Sequence, residues 1–147
     1  MTVKVRTAKP AEVIDLRHAV LRAGLPRQTA VFAGDDDPAA LHWVAEEDGA
    51  IVGCATLHLN QWEHQAAWQL RGMAVDPARQ RCGIGAALLD AIDRFVSTSP
   101  SKLLWCNARV SAAKFYEKHG WRIVSDVFEI PIAGPHVKMI KDLQVPE

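Results

Sequence analysis

The most informative stretch of the sequence is Ala74-Val75-Asp76-Pro77-Ala78-Arg79-Gln80-Arg81-Cys82-Gly83-Ile84-Gly85-Ala86-Ala87-Leu88-Leu89. It runs from the end of an apolar strand through a turn and a basic loop into an amphipathic helix. Gly83 and Gly85 let backbone N–H groups approach an anion, and a helix start adds unpaired N–H groups and partial positive charge. Arg79 and Arg81 add formal charge beside them. The stretch therefore predicts a phosphate-binding loop, although two glycines alone are also typical of close helix–strand packing.

Two familiar nucleotide-binding patterns do not fit this loop. A P-loop requires Gly-Lys followed by Ser or Thr at the helix start, whereas Gly85 is followed by Ala86-Ala87. A dinucleotide fingerprint requires a third glycine and an acidic residue after the next strand, and the sequence has neither. The identity of the phosphate ligand has to come from elsewhere in the chain.

Strands and helices follow one another on both sides of the loop. Asp48-Gly49 predicts a two-residue hairpin turn, and Gly120 predicts a left-handed helix cap. The crossover Ala67–Cys106 should be right-handed and should join parallel strands. The predicted strands are Met1–Thr7, Leu41–Glu47, Ala50–Leu59, Ala67–Val75, Leu103–Cys106, Arg122–Ile130 and Val137–Leu143, and the predicted helices start at Pro10, follow Gly85, and span Ser111–His119. We therefore predict a mixed α/β fold.

Length and composition favour one ordinary domain over residues 1–147. Nearly half of the residues are apolar, and 17 basic residues balance 17 acidic ones, so no overall charge draws the chain to nucleic acid or to a membrane. No stretch has the roughly 20 apolar residues of a membrane span, and the N-terminus lacks a signal-peptide pattern. Cys54, Cys82 and Cys106 are odd in number and widely spaced, which argues against a disulfide framework or a metal site. We expect a cytoplasmic protein.

Two segments resemble a known family. Gln80-x-x-Gly83-x-Gly85, between a strand ending in Val75-Asp76-Pro77 and a helix with Leu88-Leu89, resembles the coenzyme A loop of the GNAT superfamily of N-acetyltransferases. The segment Ala112–Trp121 resembles the second signature of that superfamily, an aromatic-Tyr-Glu-Lys-x-Gly-aromatic helix end. The two lie in the expected order with one strand between them, and the order of elements matches along nearly the whole chain.

The resemblance implies a fold and a cofactor. The fold would be a mostly antiparallel sheet of about seven strands, with a splayed parallel pair at its centre and three to four flanking helices. Acetyl-CoA would be the co-substrate, no metal would be used, and a homodimer would form through sheet edges or the last strands. By resemblance, the residues that bind the coenzyme are Met73, Ala74, Val75, Gln80, Arg81, Cys82, Gly83, Ile84, Gly85, Ala86, Asn107 and Tyr116.

The resemblance also implies direct transfer of an acetyl group to a primary amine within a ternary complex. Tyr116 matches the residue that often protonates the leaving thiolate, and its alternative role is packing. Gly72 marks either a bulge that aims an N–H at the thioester oxygen or a close packing contact. A longer acyl donor, and a module that senses acyl-CoA without turnover, are the alternative functions.

The base and the acceptor are less well defined. The candidate bases are Glu63, His58, His64 and His136. The acceptor pocket would use Arg17, His18, Arg22 and His136, where the arginines either recognise an acidic acceptor or are solvated charges near a helix end. A small molecule or a peptide amine fits equally well. Asp35-Asp36-Asp37 predicts an acidic turn, since the spacing of a calcium loop is absent.

Overall fold

The computed structural model describes residues 2–144, which form eight β-strands, three α-helices and three short 3₁₀ helices. The strands are β1 Val3–Ala8, β2 Leu41–Glu47, β3 Ala50–Leu59, β4 Trp68–Val75, β5 Leu103–Arg109, β6 Arg122–Ile123, β7 Phe128–Ile130 and β8 Gly134–Asp142. The α-helices are α1 Pro10–Leu21, α2 Ile84–Thr98 and α3 Ala113–Lys118, and the 3₁₀ helices are Arg27–Ala30, Pro77–Arg79 and Val110–Ala112. The predicted mixed α/β class is confirmed.

The chain divides into two compact units, which are described separately. Unit 1 comprises Met1–His58 and Arg71–Ile92, and unit 2 comprises Leu59–Leu70 and Asp93–Glu147. The boundary falls within β4 and within α2, so each of these elements contributes one part to each unit.

Unit 1 contains a sheet of strand order β1-β2-β3-β4, in which β1–β2 and β2–β3 are antiparallel. The predicted turn between β2 and β3 is confirmed, because Asp48 and Gly49 have φ of 51° and 81°, as a two-residue hairpin turn requires. Helix α1 covers this sheet with Val13 and Ile14, which pack in one buried cluster with Val44.

Gly53 on β3 brings the start of α2 close to the sheet. A Cβ at this position would lie 2.6 Å from Ile84 Cγ2 and 3.0 Å from Leu88 Cδ1, so only glycine permits this approach. Both side chains are buried, and burying such a side chain typically contributes about 1.5–3 kcal/mol. This packing fixes where α2 begins, and therefore where the loop before it must lie.

Unit 2 has the strand order β4-β5-β8-β6, with β7 also paired to β8. Trp68–Leu70 of β4 pairs in parallel with Leu104–Cys106 of β5, which confirms the predicted parallel crossover, and β5 pairs antiparallel with β8. Within residues 2–144, no helix is long and apolar enough to cross a bilayer, and no group of three metal-ligating side chains occurs.

The predicted strand Arg122–Ile130 is wrong as a single element, because the structure divides it into β6 and β7. The Lys138 N–H of β8 donates to the Ser125 hydroxyl at 2.8 Å instead of to a strand carbonyl. The side chain of Ser125 thus replaces a ladder bond and interrupts the pairing. This break raises the strand number from about seven to eight.

Candidate functional site

The predicted phosphate loop leaves β4 through a turn that its own side chains stabilise. The Asp76 N–H donates to Val52 O at 2.8 Å, which holds the end of β4 on β3. The Asp76 carboxylate accepts from the Ala78 N–H at 2.9 Å and caps the 3₁₀ helix Pro77–Arg79. The chain is therefore directed from the strand end into the loop by local hydrogen bonds.

The loop opens on a row of backbone N–H groups at the start of α2. The first intrahelical bond runs from the Ala87 N–H to Gly83 O at 3.0 Å, so the N–H groups of Ile84, Gly85 and Ala86 precede the helical ladder. Gly83 has a φ of 81°, and a Cβ built on it would meet no heavy atom within 4 Å. An open glycine beside these N–H groups fits an anion such as a pyrophosphate.

The two arginines of this loop differ in what they contact. The Arg79 guanidinium forms an ion pair with the buried Glu47 carboxylate, and this hydrogen bond raises the pKa of Arg79. Arg81 is exposed, has a φ of 65°, and has no ion pair within residues 2–144. Arg81 therefore supplies the formal positive charge of the loop, whereas Arg79 anchors it.

Strand β4 carries the other predicted coenzyme residues of unit 1. Met73 and Val75 are half-buried, while Ala74 belongs to the buried cluster around Val13. Gly72 has a φ of 64°, which departs from strand geometry. A Cβ at Gly72 would lie 2.7 Å from Arg17 Nε and 3.3 Å from Phe32, so the predicted close approach is present.

Arg17 lies inside unit 1 with 0% of its surface exposed, so the alternative of a solvated helix-end charge is wrong for this residue. Its Nη1 donates to Asp35 Oδ2 at 2.7 Å and to Ala30 O at 2.7 Å, and its Nη2 donates to the Thr56 hydroxyl at 2.8 Å. The carboxylate that Arg17 recognises therefore belongs to the protein itself. The role of Arg17 in acceptor binding stays a prediction.

Asp35 is the carboxylate at the centre of this network and is 3% exposed. Burial alone would raise the pKa of Asp35, but hydrogen bonds from His58, Arg17 and the Phe32 N–H outweigh it and hold the pKa well below its usual value. His58 Nε2 lies 3.2 Å from Asp35 Oδ1. Asp35 therefore stays ionised and favours a proton on His58 Nε2, which leaves Nδ1 as a proton acceptor.

His18 and Arg22 follow Arg17 along α1 and are half-buried. His18 Nε2 contacts Leu25 O at 2.7 Å, and Arg22 Nη1 donates to Leu21 O at 3.1 Å. The Arg22 Cζ lies 5.5 Å from the centre of the Phe32 ring. These two residues are thus placed at the same end of α1 as the Arg17 network.

In unit 2, Tyr116 lies on α3 and is 6% exposed. The rings of Phe115 and Trp121 lie edge-on to it at centroid distances of 5.3 Å and 5.5 Å. Burial, together with the neighbouring Cys106, raises the pKa of Tyr116, so the phenol stays protonated. Its hydroxyl makes no hydrogen bond with any residue from 2 to 144, so its proton is not committed to an acceptor inside the protein.

Asn107 and His136 lie on strands rather than beside them, which corrects both placements. Asn107 belongs to β5, because that strand extends to Arg109, and its Oδ1 accepts from Lys138 Nζ at 3.0 Å. The sequence predicts that the last strand begins at Val137, but β8 begins at Gly134 and therefore includes His136. His136 pairs with Arg109, is buried, and has its Nδ1 2.7 Å from Gly134 O. Their predicted site roles are not altered by these positions.

The other two candidate bases, Glu63 and His64, are exposed at a turn closed by hydrogen bonds between Trp62 and Gln65. Within residues 2–144, neither side chain has a carboxylate partner, whereas His58 contacts Asp35. Sequence reasoning did not single out Phe32 or Arg71. An aromatic residue in the polar segment Leu25–Pro38 was the available signal for Phe32, and a charge within the apolar strand Ala67–Val75 was the signal for Arg71.

Comparison with known proteins identifies the family. Residues 38–123 match the family model described as "Acetyltransferase (GNAT) domain". The chain is 26% identical over 144 residues to the Bacillus subtilis protein named "Uncharacterized N-acetyltransferase YitI", covering 96% of this chain and 97% of that one.

Solved structures share the fold. Escherichia coli ElaA has a TM-score of 0.80 at 18% identity and covers 96% of this chain and 100% of its own. An aminoglycoside 6'-N-acetyltransferase in complex with coenzyme A has a TM-score of 0.76 at 16% identity and covers 100% of this chain and 99% of its own. The chain belongs to the GNAT family and is an acetyltransferase of that family.

Proposed function

We propose that this chain transfers an acetyl group from acetyl-CoA to a primary amine by direct attack within a ternary complex. The observation that carries the proposal is the row of open N–H groups at Ile84–Ala86, beside Gly83 and the exposed Arg81. Such a row suits the pyrophosphate of a coenzyme. Gln80 and Cys82 complete the phosphate loop.

The remaining coenzyme contacts are proposed on β4, β5 and α3. Backbone groups of Met73, Ala74 and Val75 would bind the pantetheine arm as an added strand does, which is consistent with the exposure of Met73 and Val75. Asn107 offers a side-chain amide on β5, and Tyr116 offers a hydroxyl on α3. The proposal treats residues 1–147 as a single acetyltransferase domain, which acts in the cytoplasm as a homodimer.

Transfer forms a C–N bond and breaks the thioester C–S bond. An alkyl amine with a pKa of about 10.4 is protonated at neutral pH and must lose a proton before it attacks. We propose that His58 Nδ1 accepts this proton while Asp35 holds the imidazole through Nε2. Attack leaves one further proton on the nitrogen, which passes to solvent as the C–S bond breaks, and His58 also returns its proton to solvent. The Tyr116 hydroxyl protonates the departing thiolate, and the phenol is restored from solvent.

Replacement of His58 by Gln is expected to lower kcat by roughly 10²-fold, because a positioned base contributes about that factor. A base acts only in its neutral form, so the wild-type rate should rise with pH, and this rise should disappear in His58→Gln. The pH–rate profile of kcat measures both effects. Exposed His64→Asn is the matched control and should keep the wild-type profile, whereas an unchanged profile in His58→Gln would rule His58 out as the base.

The proposed activity is tested by thiol release from acetyl-CoA in the presence of an amine panel of polyamines, amino acids, aminoglycosides and short peptides. We expect amine-dependent release that is matched by formation of the acetylated amine. Coenzyme binding without any thiol release would instead favour an acyl-CoA sensor. Faster release from a longer acyl-CoA would correct the donor and leave the reaction type intact.

Gly83→Asp and Gly83→Asn are the matched pair for the coenzyme site. The two side chains have nearly the same shape, both tolerate the left-handed backbone, and neither meets a neighbouring atom at Cβ. Only Asp places a negative charge beside the N–H row, and at a few Å this costs about 1–4 kcal/mol against a phosphate. Titration with coenzyme A should therefore give a Kd at least about fivefold weaker for Asp than for Asn. Equal affinities would show that the phosphates bind elsewhere.

A further inference from the structure

Three guanidinium groups of unit 1 gather around the ring of Phe32. The Cζ atoms of Arg17, Arg71 and Arg22 lie 4.0 Å, 4.3 Å and 5.5 Å from the ring centre. Arginine stacks favourably on an aromatic face, but the face does not neutralise its charge. Positive charge is therefore concentrated around the Phe32 ring.

The carboxylate beside these groups is already in use. The charged groups that act on Arg71 are Arg17, Asp35 and Arg22, of which only Asp35 is negative. Asp35 is bound by Arg17 and His58 and is 3% exposed. Among residues 2–144, the Arg71 guanidinium forms no ion pair and no hydrogen bond, and it contacts the Phe32 face.

Arg71 is held in a place that is unfavourable for an isolated cation. It is half-buried, and burial together with the like charge of Arg17 lowers its pKa. A partly desolvated guanidinium is normally matched by an anion that accepts its forked N–H groups. Simple packing of the Arg71 stem on Phe32 does not supply that acceptor.

Arg71 lies on β4 just before the segment that we propose binds the pantetheine arm. Gly72 follows it, with a φ of 64° and its backbone against Arg17 and Phe32, and Met73 begins the segment that we propose binds the pantetheine arm. Arg71 therefore lies two residues before the segment proposed to bind the pantetheine arm, so an anion held by its guanidinium would belong to a molecule placed beside that segment.

We infer that the acceptor is an aminocarboxylic acid and that Arg71, stacked on Phe32, binds its carboxylate as a specificity-determining residue. Arg17 is not the ligand, because it is 0% exposed and its Nη atoms bind Asp35, Thr56 and Ala30, while its unpaired Nε is buried against Gly72. It keeps the region positive and supports the Phe32 ring. This inference rests on the proposed acetyl transfer and specifies the substrate class for it.

The test compares acceptors that differ only in the carboxylate. Glycine, β-alanine, 4-aminobutanoate and 5-aminopentanoate are each paired with the amino alcohol of the same chain length, and kcat/KM is measured for every member. We expect the wild type to prefer the carboxylate in at least one pair by tenfold or more. Arg71→Gln should abolish that preference by lowering kcat/KM for the carboxylate tenfold or more relative to kcat/KM for its paired amino alcohol, and Arg71→Lys should restore part of the preference. Arg27→Gln removes the same charge from an exposed arginine and should keep the wild-type preference.

Two outcomes separate this inference from the proposed function. If amines are acetylated but no pair shows a preference that depends on Arg71, the carboxylate inference is wrong and acetyl transfer stands. If no amine is acetylated, the proposed function fails. In that case the anion site is still tested by the ¹⁵N–¹H resonance of Arg71 Nε, which should shift on addition of glutarate and not of 1,5-pentanediol. If the Arg71 Nε resonance does not respond to glutarate, the inference is wrong. This measurement uses the wild-type protein, so it remains decisive even if Arg71→Gln does not fold.

Discussion

Replacement of Asp35 by Asn is expected to lower the free energy of unfolding by about 3–5 kcal/mol, because it leaves the Arg17 guanidinium buried without its counter-charge. Arg17 is 0% exposed and its Nη1 lies 2.7 Å from Asp35 Oδ2, so water cannot replace the lost carboxylate. For a protein of this size the loss corresponds to a fall in Tm of roughly 6–20 °C. Urea or thermal unfolding followed by circular dichroism measures the effect.

Two controls separate the buried charge from other consequences of the substitution. The double variant Asp35→Asn with Arg17→Met removes both charges and should recover much of the lost stability, since replacing a whole buried pair is often nearly neutral. Arg27→Gln breaks the exposed Arg27–Asp15 ion pair and should cost less than about 1 kcal/mol. A double variant as unstable as Asp35→Asn alone would contradict the charge explanation.

The effect of Asp35→Asn should also depend on pH in a defined direction. The folded pKa of Asp35 is depressed, so its contribution to stability is fully present above the unfolded pKa of about 3.9. This contribution is lost as pH falls through the folded pKa. The difference in stability between the wild type and Asp35→Asn should therefore be constant near neutral pH and shrink on acidification below about pH 4.

Features of this protein that depend on neighbouring residues could be predicted from the sequence. The Asp48-Gly49 turn needs two residues that tolerate positive φ, and both have it. The turn and loop between β4 and α2 follow from a strand end, a proline, two glycines and an amphipathic helix within one stretch of chain. Gly120 caps α3 with a φ of 89°. In each case the signal and the structure lie within a few residues of each other.

Features that depend on distant residues could not be predicted in the same way. Arg17 meets Asp35 and Thr56, which are 18 and 39 positions away, and nothing in the helical spacing of α1 distinguishes a buried arginine from a solvated one. His58 could be named only as one of four bases, because the Asp35 contact that distinguishes it comes from a loop 23 positions earlier. The predicted strands end before Asn107 and begin after His136, whereas β5 and β8 both include these residues because the two strands pair along their full length there. Tertiary pairing overrides the local signals there.

Replacement of Tyr116 by Phe should lower kcat by about 10²-fold or more if proton donation to the leaving thiolate limits turnover. The same burial that keeps the phenol protonated also raises the pKa of the neighbouring Cys106 thiol to about 12. A coenzyme thiolate leaving in such surroundings would be a stronger base than in water, which favours transfer of the proton from Tyr116. Single-turnover and steady-state rates with acetyl-CoA measure the loss.

Tyr116→Phe separates the effect of losing the hydroxyl proton from the effect of losing the packing of the ring. Tyr116→Phe keeps the ring that packs against Phe115 and Trp121, and the hydroxyl makes no hydrogen bond with residues 2–144, so stability should change little. Phe115→Leu disturbs the same aromatic contact without removing the hydroxyl, and it should lower kcat far less. An unchanged kcat in Tyr116→Phe would discard the acid role, and equal losses in both variants would show that Tyr116 acts through packing. A loss of kcat that is confined to Tyr116→Phe and is much larger than any change in the Kd for coenzyme A is the result that only a proton donor predicts.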